Sequence, residues 1–223
     1  MKKIIIGLIA FFTFTNLNAQ TEKGTIYVGG TFGVNSRNQT SKSSSVTTNE
    51  EKRTSFFVIP DVGYFFADNM AIGLGIGYAN EKVNSKSSSG STENTTTTGT
   101  FSINPTFRYY MPTSSETFKF FIQARANLDF GTITNENKSP TFTSTSNGKT
   151  NGYGLFISPN LSYFPTRSWS IDIGFTGIGY SSATSEFTNT TNNTTNTTNI
   201  SGFQLGVNSF LPTFGVRIFI GKK

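Results

Sequence analysis

The chain has 223 residues, enough for one domain with one core, and only 13% of them are charged. It contains no histidine and no cysteine. That excludes disulfide frameworks, thiolate metal sites, lipoprotein cysteines and imidazole acid–base chemistry, so no metal and no other cofactor is expected. The formal charge of +6 and pI near 9.5 do not indicate a nucleic-acid binder. Lys2, Lys3, Lys222 and Lys223 sit at the two ends, and the other cations are scattered without an aromatic-interleaved basic stripe. No apolar run reaches the length of about 18 residues that a helical membrane span needs.

The chain opens with the layout of a secretory signal peptide: Met1-Lys2-Lys3 is positive, Ile4 to Phe14 is apolar, and Asn18-Ala19-Gln20 carries the small residue of a cleavage site. A leader is expected over residues 1–19, removed after Ala19, leaving a single domain over 20–223 that folds outside the cytoplasm.

Beyond the leader, segments with period-two patterning alternate with polar stretches. Strands are predicted over 24–35, 54–66, 70–82, 99–111, 117–131, 150–164, 168–181 and 201–221. Tight turns are expected at Ala67-Asp68-Asn69, from Pro112 to Glu116, and at Pro165-Thr166-Arg167. The other connections, about 36–53, 83–98, 132–149 and 182–200, are rich in Ser, Thr and Asn. Their low apolar content predicts unordered loops. Long and short connections alternate strictly, the pattern of an all-β, eight-stranded, antiparallel up-and-down transmembrane barrel with short periplasmic turns and four long extracellular loops.

The strand faces support a membrane setting. In the fifth strand Phe118, Phe120, Ile122, Leu128 and Phe130 share one face, while Lys119, Gln123, Arg125, Asn127 and Asp129 share the other with Phe121. The fourth opposes Phe101, Ile103, Phe107, Tyr109 and Met111 to Ser102, Asn104, Thr106 and Arg108. An eight-stranded lumen holds little beyond side chains. Rings lining it would overfill it, so the large residues are expected to face lipid, and closure removes the edge strands that hydrocarbon does not tolerate.

A repeat marks the even-numbered strands: Pro60-Asp-Val-Gly-Tyr-Phe, Pro105-Thr-Phe-Arg-Tyr-Tyr, Pro159-Asn-Leu-Ser-Tyr-Phe and Pro212-Thr-Phe-Gly-Val-Arg-Ile-Phe. Tyr64, Tyr109 and Tyr163 are placed for a periplasmic aromatic girdle, with Trp169 at the same level. Each proline lacks a backbone donor and implies a local gap in the ladder. The last strand changes phase, with Phe203 and Leu205 odd but Phe214, Val216, Ile218 and Ile220 even. A bulge near 208–212 would reconcile them.

The Asn-Ala-Gln leader end, the Pro-x-x-x-Tyr-aromatic repeat and the Thr/Asn-rich connections resemble the small outer-membrane β-barrel proteins of Bacteroidetes, similar in architecture to OmpA- and OmpX-type barrels. The resemblance covers the whole mature chain. It implies an outer-membrane location in a Gram-negative bacterium, lipid as surroundings, and the barrel-assembly machinery as a partner during insertion. It also implies an assembly signal in the last strand, where Thr213, Gly215, Ile218 and Ile220 occupy the polar, glycine and two apolar places. Ile220 stands where an aromatic is usual, and Gly221-Lys222-Lys223 runs past it.

Enzymatic barrels of this size use a histidine base, and this chain has none. No enzyme is expected, and no catalytic residue is assigned. The inward charges Asp61, Arg108, Arg125, Asp129, Asp172 and Arg217 are instead expected to form a lumenal ion-pair network, because buried charges must be paired. The reading is a structural or surface-interaction barrel whose long loops meet an extracellular partner in an adhesion-like way. A small porin-like channel is one alternative. A secreted soluble barrel, the same strands turned inside out around an apolar ligand, is another.

Overall fold

Alternating apolar and polar residues favour extended chain, and β-branched and aromatic side chains fit a pleated surface. The computed structural model follows that pattern, and it describes residues 21–43, 46–87, 92–175, 177–189, 194–205 and 213–221. The expected leader, residues 1–19, lies outside them, as do Pro212 and the expected bulge at 208–212. The strands are β1 (Ile26–Ser43), β2 (Val46–Ala67), β3 (Met70–Ser87), β4 (Thr92–Tyr110) and β5 (Phe118–Lys138). They continue with β6 (Thr143–Thr166), β7 (Trp169–Gly174), β8 (Ile178–Asn189), β9 (Thr194–Leu205) and β10 (Thr213–Ile220).

The strand order runs β5-β4-β3-β2-β1-β10-β7-β6, and a further β5–β6 pairing joins the ends, so eight strands close a ring at the end nearest the short turns; above it, among the described residues, no pairing joins β9 to β1. All of these pairings are antiparallel. β8 pairs β6 beyond β7, and β9 pairs β8. The stagger of the ring can be read from the register. From Phe32, one route passes Phe214 and Ile173 to reach Leu161. The other passes Val58, Tyr78, Phe101 and Phe130 to reach Asn151, ten residues away on the same strand. A stagger of that size over eight strands tilts them by about 40° from the barrel axis.

Three features differ from the sequence expectation. The connections expected as unordered loops are mostly strand: β1 and β2 stay paired to Ser43↔Val46, β3 and β4 to Ser87↔Thr92, and β8 and β9 to Asn189↔Thr194. A ladder already nucleated in the barrel extends without new apolar burial, because Thr fits a strand and polar cross-strand pairs contribute. Such pairs are present: Thr95 donates to Asn84 at 2.9 Å, Thr96 to Asn135 at 2.8 Å and Thr184 to Asn199 at 2.8 Å.

The second difference is that the expected seventh strand is split into β7 and β8, with Phe175 and Gly177 between them. One extra residue lies in this break. Ser170 and Asp172 are buried in β7, so even positions point inward, whereas Ile178 and Tyr180 of β8 are exposed, so even positions point outward. The expected eighth strand is likewise described as β9 and β10, and Phe203 and Leu205 face out on the first as Phe214 and Val216 do on the second.

The prolines explain where the ladder yields. The β2–β3 pairing skips from Val58↔Tyr78 to Asp61↔Gly75, passing over Pro60. The β4–β5 pairing skips from Ile103↔Leu128 to Thr106↔Arg125, passing over Pro105. Pro159 lies opposite the β7/β8 break, where its carbonyl accepts from the Phe175 amide at 3.2 Å. Each gap sits where the missing amide would have donated. Once the stagger is spread over the strands, the three prolines lie within about two residues of one height.

The third difference concerns the interior. Large apolar residues do face outward on every strand of the ring, as Val62 (49% exposed), Leu74, Phe120 and Leu155 illustrate. That arrangement overturns the inside-out soluble barrel. Yet the end of the lumen nearest the short turns is also filled with rings, contrary to the expectation that rings would overfill it. Tyr27, Phe65, Tyr110, Phe121, Phe164 and Phe219 form one buried cluster.

Candidate functional site

The repeat in the even-numbered strands builds that cluster. In Tyr64-Phe65, Tyr109-Tyr110 and Tyr163-Phe164, successive side chains point to opposite faces, so the first ring lies outside and the second inside. Ile218-Phe219 does the same in β10. Tyr27 and Phe121 complete the layer, with Tyr110 and Phe121 stacked at 4.7 Å between centroids and Phe164 and Phe219 at 5.3 Å. Room for Tyr27 comes from two inward glycines, since a Cβ at Gly63 would collide with its ring and one at Gly73 with its hydroxyl. The inner half of the Tyr-aromatic repeat was the sequence signal for this layer.

Residues 21–25, ahead of β1, close the same end. Gly24 turns at φ +93°, a conformation glycine adopts without a Cβ penalty, and its amide donates to the Phe65 carbonyl at 2.7 Å. The Thr21 hydroxyl donates to Asn69 and accepts from the Lys119 ammonium, both at 2.8 Å. Residues on β1's lead-in, the β2–β3 turn and β5 are thereby tied across the bottom of the barrel.

Directly above the rings lie four of the predicted charges. Arg108 donates to Asp61 at 2.9 Å, and Arg217 donates to the same carboxylate at 3.1 Å. Asp172 is 3.7 Å from Arg108, is hydrogen-bonded to Arg217, and accepts from Ser162 at 2.7 Å and Ser170 at 2.8 Å. All four side chains are buried. The set is neutral, and Tyr27 lies beneath it, 4.7 Å from the Arg108 guanidinium and 5.8 Å from that of Arg217.

Arg125 and Asp129 do not join this set. Among the described residues no carboxylate comes within ion-pair distance of Arg125, which lies 5.4 Å from the Phe156 ring instead. Both residues point inward from β5 but stand higher in the barrel, where charge alternation along one strand gives no sign of separation in height. They line a cavity of about 440 Å³ whose floor includes Phe121, Asp172 and Arg217.

The outside carries two aromatic levels. Tyr64, Tyr109, Tyr163 and Trp169 are half-buried or exposed near the short turns, and Tyr163 packs on Phe118 at 5.0 Å. Phe56, Tyr78, Phe101, Phe130, Tyr153 and Tyr180 form an upper level not anticipated from the sequence. From Tyr64 to Phe56 along β2 the rise is about 20 Å after tilt, close to the apolar band of about 25 Å in outer-membrane barrels. In β10, Thr213 and Gly215 share the inward parity of the buried Arg217, whereas Ile218 and Ile220 lie on the outward face.

Over residues 18–176 the sequence matches the family described as outer membrane protein beta-barrel domain. The chain belongs to that family. Among solved structures, this barrel is similar to the outer membrane protein OprG from Pseudomonas aeruginosa, at 14% identity and a TM-score of 0.51, covering 92% of this chain and 100% of that one. It is also similar to Neisserial surface protein A, at 18% identity and a TM-score of 0.38, covering 88% and 99%. The outer membrane protease OmpT from Escherichia coli is 14% identical with a TM-score of 0.42, covering 88% of this chain and 79% of its own. No curated protein matches the sequence. The OprG likeness concerns fold alone. The barrel is thus a transmembrane protein of the Gram-negative outer membrane, with lipid against its exposed apolar belt.

Proposed function

We propose that this outer-membrane barrel is a closed anchor that displays four long β-hairpins at the cell surface, in a structural or surface-interaction role. The observation that carries this reading is the stoppered lumen. Six buried rings, a neutral layer of four paired charges and the Thr21-to-Asn69 bridge are stacked at the turn end, while the hairpins rise beyond the upper aromatic level. In this reading the inner charges serve packing and no catalysis is carried. The extracellular partner meets the polar hairpin faces in an adhesion-like way. Export uses the leader over 1–19. Insertion uses the assembly machinery reading Thr213, Gly215, Ile218 and Ile220, and Tyr64, Tyr109, Tyr163 and Trp169 sit at the periplasmic headgroups.

The test is single-channel recording of the folded mature chain, starting at Gln20, in a planar bilayer. No current steps are expected under applied voltage. Reproducible steps, lost on heat unfolding, would refute the anchor and put the porin-like channel in its place.

A further inference from the structure

We propose that the outward half of the lumen is a binding site for a small monocarboxylate, held by Arg125. The cavity there, about 440 Å³, lies over the ion-pair layer, which supplies Asp172 and Arg217 to its lining, and its lining also includes Thr100, Asp129 and Gln204. Its volume falls within the range of small-molecule sites. Its walls mix the amides of Asn104, Asn127 and Asn160 with the rings of Phe57 and Phe156, an apolar body with a few convergent polar groups.

Arg125 is out of place as a purely structural residue. The lower charges neutralise one another as two cations and two anions. Arg125 stands above them with no carboxylate at ion-pair distance among the described residues; its Nε is buried without a hydrogen-bond partner, as Arg108 Nε is in the layer below, but Arg125 also borders the cavity. The Oδ1 of Asn127, two residues along the same face of β5, is also buried without a partner. A half-buried guanidinium facing a cavity can take a planar oxyanion, which it binds through two parallel N–H donors. The carboxylates of Asp129 and Asp172 border the same cavity and would repel a second negative charge, so the site selects a monoanion over phosphate. A ligand carrying a hydroxyl or amine beside its carboxylate also satisfies Asn127 Oδ1.

The experiment is a titration of the folded, ¹⁵N-labelled mature chain in micelles, reading arginine Nε–Hε cross-peaks at constant ionic strength. Acetate is the probe, with acetamide, chloride and phosphate as comparisons. One cross-peak is expected to move saturably with acetate alone and to vanish in Arg125→Gln, in which no other arginine cross-peak shows a saturable acetate response. A second variant, Asn127→Asp, places a carboxylate inside the cavity and is expected to abolish the acetate response while the barrel keeps its heat-dependent gel shift. A shift that chloride reproduces, that phosphate matches, or that survives in Asn127→Asp would overturn the proposal. So would the lack of any saturable shift, which would mean that water alone completes Arg125.

Discussion

Removing one cation from the lumenal charge layer tests how that layer holds the barrel. In Arg217→Met, Asp61 loses its 3.1 Å partner and Asp172 loses its guanidinium contact, leaving two buried carboxylates to share Arg108. Arg108 reaches Asp172 only at 3.7 Å, so the ion pair left to Asp172 is the longest in the layer. Breaking a buried pair from one side costs about 3–5 kcal/mol, because the remaining charge is uncompensated. Asp172 keeps its Ser162 and Ser170 donors, which places the expected loss at the lower end, about 3 kcal/mol. Trp169 is the only tryptophan and lies at the turn end of the barrel, paired with Ile218, so its fluorescence during urea unfolding in lipid bilayers reads the transition directly. The double variant Arg217→Met with Asp61→Leu restores neutrality. Its loss is expected to fall short of the sum of the single losses by at least about 2 kcal/mol. A loss below about 1 kcal/mol in Arg217→Met, or strict additivity in the double variant, would refute the claim that these charges act as one compensated unit.

Two further outcomes follow from packing and from the ladder. Gly73→Val should destabilise by about 1–3 kcal/mol through overpacking against Tyr27. The companion change Tyr27→Leu should recover part of that loss in the same urea assay, and an unaffected midpoint in Gly73→Val would argue against the packing. Asn135→Ala removes the acceptor of Thr96, so amide hydrogen exchange at Thr96 and its neighbours should speed up while the Trp169 transition stays within about 0.5 kcal/mol of its parent value. Fast exchange at those amides already in the parent protein would show that the hairpins are not paired as described.

Much of the fold was legible because its signals are local. Period-two alternation named which residues of β2 to β5 face out, and the odd-to-even change between Phe203 and Phe214 predicted a phase break. The prolines announced gaps, and the ladder is interrupted at Pro60, Pro105 and Pro159. The polar connections were misread because low apolar content argues against an independently folded segment, whereas these segments continue a ladder already in place. The inner ring layer was missed for a related reason. Phe65, Tyr110 and Phe164 follow the outward tyrosines directly, and the repeat draws attention to the outward member.

Along any one strand, then, the sequence by itself determined the barrel strands, their outward face and the positions of weakness. Only the tertiary structure decided which inward charges meet. Asp61 and Arg217 are 156 residues apart in the chain and become partners through the closed ring, while Arg125 and Asp129, on the same face as their expected partners, stay above them. Side-chain alternation has a period of two residues and is visible in any segment. Height across a lumen depends on the stagger, which accumulates over the whole ring and belongs to no single strand.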